Sequence, residues 1–150
     1  MNFVVDLDYP HRDYDAINIS SLTRLRKSHF FVPLTPGSSR IDSRKPQNSL
    51  TWINELLIRQ SCMSVFEEIV LDCIFFQCII SILAMFSKTD SILARREVFP
   101  ALRFVTVVVP NVTAAPLGYE GRDKFNIIET IKMRMPLLND MGILRVNRRR

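Results

Sequence analysis

Hydrophobic positions fall into blocks along the chain, and one block dominates. Ser64 to Phe86, SVFEEIVLDCIFFQCIISILAMF, is the longest and most apolar run. It reads as one central helix. Ser64 stands three residues before Glu67, the spacing of a capping box, in which each side chain bonds the other residue's backbone N–H. Glu67 and Glu68 place negative charge at the positive end of the helix dipole. No proline or glycine intervenes before Phe86, and Ser87-Lys88-Thr89-Asp90 ends the pattern.

Two settings fit such a helix. Ile69 to Phe86 carries Asp72 as its one charge and is at the short end of the length that crosses a bilayer. Its mean hydropathy is about 2, high for a helix in water. In that setting Ile69, Ile74, Phe75, Phe76, Ile79, Ile80, Ile82, Leu83 and Phe86 form the membrane helix. A helix buried on all sides within a core is also apolar all round. Asp72 and Gln77 lie five residues apart, about 140° around a helix, so they make no common polar face.

The remaining blocks are shorter. Residues 3–7 form a β-prone run that ends at Tyr9-Pro10. Leu22–Val32 mixes basic and apolar residues and fits a strand, a basic anchor beside a membrane, or a phosphate- and base-contacting segment in which His29, Phe30 and Phe31 stack. Pro33–Ser49 has the Pro/Ser/Gly content of a linker. A helix over 50–60 shows Trp52, Ile53, Leu56 and Leu57 on one face. A short helix starts at Asp90 or Ser91 and runs to Arg96. Residues 102–109, LRFVTVVV, are β-branched, stop at Pro110, and suit a strand buried on both faces. Asp123 caps a helix over 124–135, Asn139–Gly142 is a turn, and 143–146 is a last short strand. The expected fold is therefore α+β and helix-dominated. A polar N-terminal region, 1–49, precedes a domain, 50–150, built around helix 64–86.

Composition changes this picture modestly. At 150 residues and 47% apolar content, the chain is long enough to bury a core. Its net charge of +5 favours acidic partners. The candidate basic contacts are Arg24, Arg26 and Lys27, then Arg95 and Arg96, then Arg148, Arg149 and Arg150. Cys62, Cys73 and Cys78 are odd in number and lie on or beside the apolar run, which argues for buried thiols rather than a disulfide framework. Met1–Tyr9 lacks the basic start and apolar centre of a signal peptide. Were the helix to span, Lys88, Arg95, Arg96 and Arg103 after it would place the C-terminal part in the cytoplasm. Asn18-Ile19-Ser20 and Asn111-Val112-Thr113 match glycosylation acceptors and read as chance matches.

Catalytic chemistry is hard to assemble from this sequence. Gly37, Gly118, Gly121 and Gly142 are spaced for no phosphate loop, and His11 and His29 stand near no cysteine. Asp6-Leu7-Asp8, after its apolar run, resembles the strand–Asp-x-Asp start of haloacid dehalogenase-type phosphatases. That resemblance implies a nucleophile, an acid/base and a metal between them. Tyr9-Pro10 depart from that pattern, and no lysine or downstream acidic pair has a matching setting.

The sequence thus leads to a non-enzymatic, membrane-associated accessory or interaction protein without a cofactor or an identified small-molecule substrate. Its basic clusters would contact anionic lipid or a protein partner. The alternative is a cytoplasmic α+β domain that keeps helix 64–86 as its core and binds protein or nucleic acid through those clusters.

Overall fold

The computed structural model describes residues 2–5, 26–34, 49–59, 65–75, 79–111 and 126–149; at 2–5, 33, 34, 49, 52, 74, 75 and 79–83 it describes the backbone alone. These residues form strands β1 (Asn2–Val5), β2 (Lys27–Leu34), β3 (Glu68–Phe75), β4 (Phe104–Val109) and β5 (Leu144–Arg148). The helices are α1 (Ser49–Arg59), α2 (Ile79–Leu93), α3 (Ile127–Arg134) and α4 (Pro136–Asp140). All five strands are parallel and lie in chain order, β1-β2-β3-β4-β5. The architecture is α/β, not the helix-dominated α+β fold expected.

The central correction concerns residues 64–86. No helix runs through them. Glu68–Phe75 is a strand, and a separate helix begins at Ile79. Ile69, Ile74 and Phe75 therefore belong to β3, whereas Ile79, Ile80, Ile82, Leu83 and Phe86 belong to α2; Phe76 lies outside the described residues. The cause is the strand's place in the sheet. It pairs with β2 on one side and β4 on the other. Val70 and Leu71, on opposite faces, are both buried. A strand buried on both faces has no period-2 alternation and reads like a buried helix. Ile69, Val70 and Ile74 are β-branched and favour the pleated backbone. The capping box fails as a helix start. Glu67, its acidic member, donates its backbone N–H to the Arg26 carbonyl at 2.8 Å just before β3, and Ser64 is outside the described residues. Among the described residues no helix is long and apolar enough to cross a membrane.

Other elements shift less. The helix expected at 50–60 is α1, and the strands expected at 3–7, 102–109 and 143–146 are β1, β4 and β5. The helix expected at 124–135 is α3, capped by Asn126, whose side chain accepts the Ile128 N–H at 3.1 Å. Pro136 then opens α4 at a position where its missing N–H costs nothing. The short helix expected at 90–96 is instead the last turn of α2.

Alternation along the strands sorts the sheet into two faces. Phe30, Leu71, Val107 and Val146 are in register, as are Ser28, Ile69, Val105 and Leu144. The apolar members of these rows share one core cluster with Leu50, Ile53 and Leu57 of α1, Phe86 and Leu93 of α2, and Ile131 and Leu138 of α3 and α4. Burial of each such side chain contributes about 1.5–3 kcal/mol. The second face carries the rows Lys27–Glu68–Phe104, His29–Val70–Thr106–Arg145 and Phe31–Asp72–Val108–Asn147. None of these residues belongs to the core cluster that the helices share.

Candidate functional site

Chain order decides where charge collects. In a parallel sheet every strand starts at the same end, so residues entering β2, β3, β4 and β5 meet along one rim. Backbone bonds stitch this rim together. Glu67 and Glu68 donate to the Arg26 carbonyl, Arg103 and Phe104 donate to the Glu67 carbonyl, and Val105 donates to the Ile143 carbonyl.

Five cationic side chains gather here with two carboxylates. Arg26 pairs with Glu67 at 3.3 Å, and Lys27 pairs with Glu68 at 2.9 Å. Arg96 Nη1 donates to the Leu102 carbonyl at 2.6 Å, so its charge meets a dipole and not an acid. Arg103 is exposed and has no ion pair among the described residues. Arg145 reaches along the second face until its guanidinium carbon lies 3.5 Å from the centroid of the Phe104 ring. That cation–π contact is worth about 0.5–1 kcal/mol at an exposed position. Glu67, Arg96, Arg103 and Phe104, with Ala101 and Gly142, line a shallow open hollow of about 550 Å³. Gly142, at φ 68°, makes the left-handed turn that closes this side and feeds β5.

The basic residues singled out in the sequence separate. Arg26, Lys27 and Arg96 reach the rim. Arg95 is in the connection before β4 and pairs with Glu97 at 3.0 Å. Hydrogen bonds from the local backbone and from Arg95 hold the Glu97 carboxyl below its ordinary range. Arg148 and Arg149 leave the opposite end of the sheet. Arg149 is bound to Asp72 of the central strand. Arg24, Arg150 and the Asp6/Asp8 pair are outside the described residues. Of the three rings read as stacking groups, Phe30 is fully buried against the helices. His29 and Phe31 share the second face and stack on each other at 4.6 Å.

Sequence reading missed Phe104 and Arg145. Phe104 is hidden in the LRFVTVVV run, where alternation is masked by a strand apolar on both faces. Arg145 stands one residue into a strand whose polar-apolar alternation, Leu144-Arg145-Val146-Asn147, was the available signal. Among the described residues, no three His, Cys, Asp or Glu side chains cluster to hold a metal. Comparison with protein-family models, with curated proteins and with solved structures returns no match for this chain.

Proposed function

We propose that this chain is a non-enzymatic binding module that takes nucleic acid on the rim where β2 to β5 begin. One observation carries the reading. Arg96 and Arg103 line the hollow beside Phe104, Arg145 lies over the Phe104 ring, and none of the three has a carboxylate partner among the described residues. Arginines without a carboxylate partner among the described residues are available to phosphates. The Arg145 guanidinium lying over the Phe104 ring adds a flat surface to these charges, and charge with stacking surfaces is the combination used by proteins that track single strands. The net charge of +5 acts in the same direction and speeds encounter with a polyanion.

Fluorescence anisotropy of a labelled oligonucleotide, titrated with full-length protein at several salt concentrations, tests the reading. About three phosphate contacts to a single strand give a slope of about −2 in log K against log salt. The triple variant Arg96→Ala/Arg103→Ala/Arg145→Ala is expected to bind much more weakly and with a flatter slope. Absence of binding at low salt, or a triple variant that binds like wild type, would overturn the proposal. So would binding to anionic vesicles with none to oligonucleotides.

A further inference from the structure

We infer that Arg145, held over the Phe104 ring, is a stacking platform for an unpaired base, so that the ligand of this rim is single-stranded. The inference rests on the nucleic-acid reading of the rim and gives it a substrate class. A guanidinium lying 3.5 Å from a ring centroid has one face used by the ring. Arg145 is nonetheless exposed, so its other face remains accessible. A planar cation pre-oriented in this way presents to a base the flat surface that it presents to phenylalanine. Bases stack on arginine planes as they do on aromatic rings.

The surroundings divide the remaining work. Arg103 and Arg96 line the hollow on the approach to β4 and would take phosphates on either side of the stacked base. Glu68 is the register partner of Phe104, and its carboxylate, paired with Lys27 through one oxygen, is the acid nearest to the platform in register. It can accept from an exocyclic amine of a base, whereas it repels phosphate. A duplex keeps its base faces closed and offers only phosphates and groove edges. It would use the charges of this rim and leave the platform empty.

The test compares three ligands of one sequence: a single strand, its duplex, and a single strand with abasic sites that keeps every phosphate. Each is titrated against wild type, Arg145→Lys, Phe104→Leu and Arg103→Ala. Arg145→Lys retains the charge and loses the plane. It is expected to weaken single-strand binding at least about fivefold, in keeping with the contribution of one stacked base, and to leave the salt slope unchanged. The abasic strand is expected to bind wild type as weakly as the intact strand binds Arg145→Lys, and to be indifferent to that substitution. Equal affinity for intact and abasic strands, or wild-type binding by both Arg145→Lys and Phe104→Leu while Arg103→Ala still weakens it, would refute the platform and leave the basic rim standing. If wild type binds none of the three ligands, the rim reading fails and the platform with it.

Discussion

Asp72 joins three strands through one carboxylate. It sits on the second face of β3, with its side chain 13% exposed, where Arg149 from beyond β5 binds one oxygen and His29 Nε2 from β2 lies 3.5 Å from the other. The histidine contact is an ion-pair distance without hydrogen-bond geometry, since Nε2 finds no hydrogen-bond partner. Arg149 is the stronger partner. Its side chain is 40% exposed, so water screens the pair. Asp72→Asn keeps the shape and removes the charge, and is expected to cost about 1–2 kcal/mol in urea denaturation. Arg149→Ala should cost a similar amount, and the double variant less than the sum. Next to Asp72 along the chain, Cys73 turns to the opposite face and is fully buried. Burial first, and the Asp72 charge second, push its thiol well above the ordinary value of 9.0, against a smaller opposing pull from Arg149. In a Cys62→Ser/Cys78→Ser chain, Cys73 should resist a thiol reagent until the protein unfolds. The folded chain retains a proton that the unfolded chain releases. This contribution to stability is therefore complete below the ordinary thiol range and lost as pH rises above it. Cys73→Ala should remove that alkaline loss.

At the scale of elements, the helices are tied together by polar groups buried between them. Asp90, on the inner side of α2, accepts the Leu137 and Leu138 N–H groups at 3.0 and 2.9 Å. It thereby caps α4 from another helix, because Met135 at the cap position has no side-chain acceptor. Asp90→Ala should cost about 1–3 kcal/mol, measured by denaturant unfolding, through orphaned donors at a buried helix start. Thr89, one residue earlier, donates to Asn54 Oδ1 of α1 at 2.8 Å. Both partners are fully buried, and the amide nitrogen of Asn54 has no partner among the described residues. Thr89→Val alone leaves the Asn54 carbonyl unsatisfied and should be destabilising. Thr89→Val with Asn54→Leu removes the polar pair together and should recover most of the loss in a double-mutant cycle.

For the whole molecule, the consequence of strand order is a sheet with all of its strand starts at one end and a gradient of protection across it. β3 and β4 have strands on both sides, whereas β5 is last in the order and bears the exposed Arg145, Asn147 and Arg148. Charged residues on an edge strand discourage pairing with another chain. Amide hydrogen exchange should therefore be slowest in Leu71 and Val105–Val107, which open only with global unfolding, and faster by orders of magnitude in β5. Uniform protection across β3, β4 and β5 would contradict this ordering. The two ends of the sheet also differ electrostatically. Arg149 is paired with Asp72 at one end, while Arg103 and Arg145 at the other have no carboxylate partner among the described residues.

Much of the local structure was legible in the residues themselves. The β-branched run before Pro110 and the amphipathic face of α1 depend on neighbours in sequence and emerge near their expected bounds, whereas the turn expected at Asn139–Gly142 is confined to Met141 and Gly142, because Asn139 and Asp140 complete α4. Local residue patterns were enough to position these elements and to set the excess of basic over acidic groups. Tertiary structure decided the rest. Residues 68–75 form a strand because two parallel neighbours satisfy their backbone and Val70 and Leu71 on its two faces are both buried, and no periodicity within eight residues encodes that. The same packing split the basic clusters, sending Arg149 to Asp72 and bringing Arg96 and Arg103 of the α2–β4 connection and Arg145 of β5 to one end of the sheet beside Phe104. Their convergence is a matter of strand order and register, which are properties of the assembled sheet.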